Sequence, residues 1–149
     1  MIAKMVEVVA HYHANQTDLA GKPYILHPLE VMRLTQEEWG YDPELLMIAL
    51  GHDLIEDTPV TEGMLRNMGF SDRVVTGIVA LTKDESKSYE AYKDQVMQNI
   101  DAMKVKWADL THNTDLSRLP VVQEQDRIRT DKYRLFRLKI LTSLPECTV

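Results

Sequence analysis

Six consecutive apolar residues, Leu45 to Leu50, run directly into Gly51-His52-Asp53-Leu54-Ile55-Glu56-Asp57-Thr58. Asp42 is a good N-cap and Pro43 a good first helical residue, so the pattern predicts a central helix from Pro43 to near Asp57, stopped by Thr58-Pro59. Side chains three and four apart share a helix face, which sets His52 beside Glu56 and Asp53 beside Asp57. Two potential metal ligands thus precede two potential acid–base groups by one turn. A solvated acidic helix end is the bland alternative. Negative charge at a helix C-terminus opposes the macrodipole, however, and solubility does not require a histidine there.

The remaining sequence also reads as helix, with no sustained alternation of β-branched residues, so the expected fold class is all-α. Ile2, Met5, Val6, Val9 and Ala10 form an apolar stripe on a first helix that gives out near Asn15. A polar loop from Gln16 to Lys22 follows. His27 then falls near an N-cap and Pro28 at a first helical position, opening a helix that runs to about Glu38. Thr61, Ser71 and Ser88 cap three further helices, and Asp101 is the expected cap of another. On that last one Asp109 and Asn113 share a face with Lys106. An Asp among Val105, Trp107, Ala108 and Leu110 needs a partner, and either Lys106 or a metal could supply it. The last helix, from about Glu124 to Leu144, has Ile128, Leu135, Leu138 and Leu141 as its expected core stripe. Tyr133 follows Arg129 by four, so the two could project together into a cleft.

With 149 residues, 44% of them hydrophobic and 27% charged, the chain has the size and composition of one ordinary globular domain. Its formal net charge of −6 opposes binding to duplex nucleic acid. Cys147 is the sole cysteine, so no internal disulfide is available and a reducing compartment is expected. The first fourteen residues are interrupted by Lys4, Glu7, His11 and His13. They read neither as a signal peptide nor as a membrane span, and a cytoplasmic location follows as the expectation.

Taken together, His27, His52, Asp53 and Asp109 are a reasonable ligand set for a divalent first-row metal. Gly21-Lys22-Pro23-Tyr24-Ile25-Leu26-His27-Pro28, then His52-Asp53 with Glu56-Asp57, then Lys106-Trp107-Ala108-Asp109 with Asn113, closely resemble the hydrolase half of the RelA/SpoT-homologue proteins. Those proteins are HD-domain metal-dependent phosphohydrolases, and the match runs from about His13 to Tyr133. The overall pattern is most similar to the family's small stand-alone members.

The resemblance implies a single HD-domain helical bundle of about eight helices, without the synthetase half. It implies that His27, His52, Asp53 and Asp109 hold one Mn²⁺, and that Glu56 and Asp57 position and activate the attacking water. Lys83, Asn113 and Tyr133 fall where relatives contact the nucleotide or its phosphates. Lys22 and Arg129 are further candidates for offsetting polyphosphate charge. The implied reaction removes the 3′-pyrophosphate from ppGpp or pppGpp. Asp18-Leu19 stand where bifunctional relatives carry an Arg-Lys pair. That departure leaves open another nucleotide, such as an adenosine alarmone, or a non-catalytic nucleotide-binding module.

Overall fold

A computed structural model describes residues 1–145, and Cys147 lies outside them. Nine α-helical segments are present among the described residues: α1 (Ile2–Tyr12), α2 (Leu26–Trp39), α3 (Pro43–Gly51), α4 (Leu54–Asp57), α5 (Glu62–Asn67), α6 (Asp72–Ala80), α7 (Tyr89–Met97), α8 (Ile100–Asn113) and α9 (Glu124–Ser143). A 3₁₀ turn, Leu116–Arg118, lies between α8 and α9. Strand-like pairing is limited among them to an isolated bridge between Thr17 and Pro23, so the all-α expectation holds. No described helix is long and apolar enough to cross a membrane.

The centre is α3. Every residue from Leu45 to Gly51 is buried, and α1, α2, α6 and α8 all pack against it. A helix that is apolar all round is stable only when enclosed in this way. The crossing with α6 is close because it uses glycine. A Cβ placed on Gly77 would lie 2.5 Å from Ile48 Cδ1 and 2.9 Å from its Cγ1.

Local signals set most helix starts. The side chains of Asp42, Thr61, Ser71 and Ser88 accept the N–H groups of Leu45, Met64, Val74 and Ala91, each satisfying an otherwise orphaned donor. The cap of α8 is Asn99, which accepts from Ala102 N at 2.9 Å, rather than the expected Asp101. The Asp101 carboxylate pairs instead with Arg73. At the start of α2, helical geometry begins at Leu26 and Pro28 sits within the first turn, where a missing N–H leaves no bond unmade. The first helix ends at Tyr12, short of Asn15, with His13 as its C-cap.

Two larger differences bear on function. The expected continuous helix from Pro43 to Asp57 is broken at His52-Asp53 and resumes as α4. His52 Nδ1 donates to Ala49 O at 2.7 Å, engaging the carbonyl that the next helical turn would use, and Asp53 turns to φ −104°, ψ 1°.

The expected core stripe of α9 faces solvent: Ile128, Leu135 and Leu138 are 62%, 71% and 58% exposed, and Leu141 is exposed too. The buried face carries Asp126, Thr130, Phe136 and Ile140, because α9 lies along α8 with its N-terminal half on a polar cavity.

Candidate active site and metal centre

The break after α3 is what lets sequence neighbours converge. Adjacent residues on an unbroken helix point about 100° apart, yet His52 Nε2 and Asp53 Oδ2 are 3.0 Å apart. His27, from the first turn of α2, brings its Nε2 to 2.8 Å from Asp109 Oδ1 on α8 and 3.9 Å from Asp53 Oδ2. His52 Nε2 is 3.4 Å from the same Asp109 oxygen. Donor atoms of His27, His52 and Asp109 all lie within 4.8 Å of one another, as do those of Asp53, Glu56 and Asp57.

The hydrogen bonds behind these groups orient them. Because His52 Nδ1 is committed to the Ala49 carbonyl, its Nε2 carries the lone pair, and this atom is buried with no hydrogen-bond partner. His27 Nδ1 lies 2.7 Å from His112 Nδ1, with the two rings edge to edge, nearly parallel at 14° and 5.0 Å apart between centroids. Burial, reinforced by Arg118, pulls the His112 pKa down to about 4. Neutral His112 can therefore accept a proton bond from His27 and leave His27 Nε2 free as a ligand. Two imidazole lone pairs then face carboxylate oxygens at contact distance, an arrangement that only a cation or a proton between them stabilises. The donor set fits a divalent ion, and the cluster is a candidate metal centre.

Asp109 is the most constrained carboxylate. Lys106 donates to its Oδ2 at 2.8 Å and Asn113 to its Oδ1 at 3.0 Å. Burial opposes ionisation, but the Lys106 ammonium outweighs it and holds the Asp109 pKa well below the usual range. Asp53 goes the other way. Burial and the Asp109 charge raise its pKa well above the usual range, and Tyr24 donates its hydroxyl to Asp53 Oδ2. Both carboxyl groups of α4 are also pushed up, chiefly by burial. Glu56 Oε1 accepts Lys83 N at 2.7 Å, and Gln16 Nε2 donates to the Asp57 carbonyl at 2.9 Å. His13 is buried and bonds Gln16 through Nδ1 at 2.7 Å.

A cavity of about 470 Å³ opens over these groups. Of the residues singled out from sequence, His27, Asp53, Glu56, Asp57, Asp109, Asn113, Arg129 and Tyr133 line it, with His52 buried behind Asp53. Arg129 and Tyr133 both reach its wall from α9, and Arg129 is tethered to Asp126 at 3.0 Å. Two candidates stand elsewhere. Lys22 is exposed on its loop, and Lys83 lines a separate shallow depression, offering Glu56 its backbone N–H while its ammonium lies 3.7 Å from Glu85. Sequence reasoning passed over Tyr24, His13, Gln16 and Arg118. For Tyr24 the signal was its position three residues before His27, which puts it on the same side of the turn.

No protein-family model matches the chain. Curated proteins do. The bifunctional (p)ppGpp synthase/hydrolase SpoT of Escherichia coli K12 is 39% identical over 111 residues, covering 68% of this chain and 16% of that protein. A guanosine-3′,5′-bis(diphosphate) 3′-pyrophosphohydrolase of Aquifex aeolicus is 31% identical over 137 residues, covering 88% of this chain and 19% of that protein. The chain spans about a fifth of the length of the curated relatives it matches. Among solved structures, a metazoan orthologue of SpoT, described as hydrolysing ppGpp, superposes with a TM-score of 0.74 at 24% identity. The match covers 95% of this chain and 84% of that one. The two share the same all-helical HD-domain fold.

Proposed function

We infer that this chain is a SpoT-type hydrolase unit: a metal-dependent phosphohydrolase that removes the 3′-pyrophosphate from ppGpp and pppGpp. The observation that carries the reading is the unpartnered His52 Nε2, buried against Asp53 and Asp109 behind a cavity that Glu56 and Asp57 also line. A site built only to bind a nucleotide has no use for Glu56 and Asp57 with raised proton affinities. The similarity to guanosine-3′,5′-bis(diphosphate) hydrolases supports the substrate.

In this reading His27, His52, Asp53 and Asp109 would hold one divalent ion, and their two imidazoles and two carboxylates suit a first-row metal such as the Mn²⁺ that the family resemblance implies. Such an ion supplies Lewis acidity, lowering the pKa of a bound water and polarising a phosphoryl oxygen. The chain's own residues do the rest. Tyr24 fixes the Asp53 carboxylate and His112 fixes the His27 ring, so the ligands are held before anything binds. Glu56 or Asp57 takes the proton of the attacking water. The water oxygen bonds to the phosphorus next to the ribose, the bond from that phosphorus to the 3′-oxygen breaks, and the proton ends on the 3′-oxygen. The products are GDP or GTP and pyrophosphate. Asn113, Arg129 and Tyr133 contact the nucleotide, with Arg129 offsetting phosphate charge. Lys22 and Lys83 act only if their loops bring the ammonium groups to the bound substrate. A cytoplasmic location accompanies the reading, in keeping with a nucleotide substrate.

The test is incubation of the purified chain with ppGpp and pppGpp, with and without Mn²⁺, followed by product identification. Metal-dependent release of GDP or GTP and pyrophosphate is expected. Intact substrate under conditions where a known hydrolase cleaves it would sink the reading. Asp18-Leu19 at the cavity favours a second reading, in which the same chemistry acts on another nucleotide phosphate such as an adenosine alarmone. Adding adenosine nucleotides to the same screen separates the two.

A further inference from the structure

The cavity wall contains one patch that the hydrolytic chemistry does not use. Thr17, Asp18, Leu19 and Ala20 form it from the loop before α2, and Arg118 and Leu119 from the chain after α8. Asp18 is no substitute for a basic residue, because its carboxylate is already engaged. Its Oδ1 accepts the N–H groups of Ala20 and Lys22, each at 2.9 Å, and its Oδ2 lies 3.5 Å from Arg118 Nη2. Arg118 Nη1 donates to the His112 carbonyl at 2.9 Å. The guanidinium is thereby clamped along two edges by groups from different elements.

This arrangement suits one end of a nucleotide and not the other. Asp18 and Arg118 cancel each other's charge, so the patch has no excess positive charge with which to attract a polyphosphate. What the cavity meets here is the partly exposed Arg118 side chain, on a stretch of wall that it shares with Leu19 and Leu119, Leu19 being 75% exposed and available to be covered. Planar, weakly hydrated guanidinium groups stack well on aromatic rings.

We propose that Arg118 is the base-recognising residue of this site, held by Asp18 and the His112 carbonyl so that its face stacks on the nucleobase, with Leu19 and Leu119 bordering the ring. The proposal rests on the nucleotide-hydrolase reading above and deepens it. It also gives Asp18 a role at the cavity, as the anchor of the Arg118 guanidinium.

Calorimetric titration of the metal-loaded 149-residue chain with GDP, and separately with pyrophosphate as a base-free control, tests the assignment. Arg118→Ala should weaken GDP binding roughly 10-fold or more and leave pyrophosphate binding unchanged. Arg118→Lys should fail to restore it, since an ammonium keeps the charge but has no face to stack. Leu19→Ala, at an exposed position that folding does not depend on, should weaken GDP binding several-fold and provides an independent check if Arg118→Ala melts early. Equal GDP affinity in wild type and both alanine variants overturns the proposal. So does a parallel loss of pyrophosphate binding, or full rescue by lysine. Failure of the wild-type chain to cleave ppGpp would count against the hydrolase reading alone, because the GDP titrations do not depend on turnover.

Discussion

Lys106→Met is the most informative single change in the candidate metal centre. Methionine keeps most of the apolar stem that Lys106 lays along α8 and removes only the ammonium, which lies 2.8 Å from Asp109 Oδ2 with both side chains largely buried. Breaking a buried pair by deleting one partner costs about 3–5 kcal/mol, because the remaining charge is stranded. Asp109 keeps the Asn113 amide as a donor, so the loss belongs at the lower end, about 3 kcal/mol. In a chain of this size that lowers Tm by about 6–12 °C.

Thermal melts in EDTA should show this gap in full, and saturating Mn²⁺ should narrow it, since a bound cation then offsets the Asp109 charge that Lys106 no longer meets. The sign with pH follows from the two shifts. The Asp109 pKa is depressed in the folded chain, so its contribution is present above the ordinary carboxylate range, about pH 4, and is lost as pH falls through the folded value. The Lys106 pKa is raised, so its contribution is complete below about pH 10 and is lost only as pH rises through the folded value. A variant as stable as wild type in EDTA near neutral pH would refute the charge argument. A gap that metal leaves untouched would refute the placement of the ion beside Asp109.

Three further outcomes follow from the same geometry. His52→Ala removes the unpartnered imidazole and should weaken Mn²⁺ binding by at least about 10-fold in calorimetry; unchanged affinity would remove His52 from the ligand set. The raised proton affinities of Glu56 and Asp57 place the acid limb of kcat/KM above the ordinary carboxylate range, because the base must be ionised to accept the water's proton. Rate profiles for wild type and Glu56→Gln should differ on that limb, and superimposable profiles would exonerate Glu56. Gly77→Ala forces a methyl to 2.5 Å from Ile48 Cδ1. It should cost about 1–2 kcal/mol in urea titrations once overpacking is set against the better helix propensity of alanine, and a stabilised variant would mean that α3 and α6 move apart freely.

Legibility in the sequence depended on the range of the forces involved. Asp42, Thr61, Ser71 and Ser88 cap helices through bonds that reach three residues, and such signals can be read from neighbours alone. The run Leu45 to Leu50 announced its own burial. The turn at His52-Asp53 could not be read this way: Gly51 just before it is an ordinary buried helical residue kept small by its contact with Ile78, and the turn depends on an imidazole returning to the Ala49 carbonyl. On α9 the apolar-stripe rule chose the wrong face. It ranks leucine over aspartate and threonine, whereas the inward side of this helix had to supply Arg129 and Tyr133 to a polar cavity and so carries Asp126 and Thr130 beside them. Arg118 was passed over for a related reason. Its meaning lies in Asp18, a hundred residues earlier, and no local pattern links the two.

Charge balance ties these features together. Asp53, Glu56, Asp57 and Asp109 crowd the floor of the cavity, while Lys106 is the ammonium that meets them and His27, His112 and His13 are all pushed by burial toward their neutral forms. Four carboxylates against one ammonium repel one another, and protonation of Asp53 relieves only part of that strain. A divalent cation relieves the rest, so metal binding and local stability are linked here. In the proposed reading the substrate then brings its own negative charge to a floor that Lys106 and a single ion leave short of neutral. On that reading its phosphates lie toward the metal and Arg129, and the patch around the Asp18–Arg118 pair is left for the uncharged end of the molecule. The same electrostatic argument that demands a cation at His52 thus sets the direction in which a nucleotide enters.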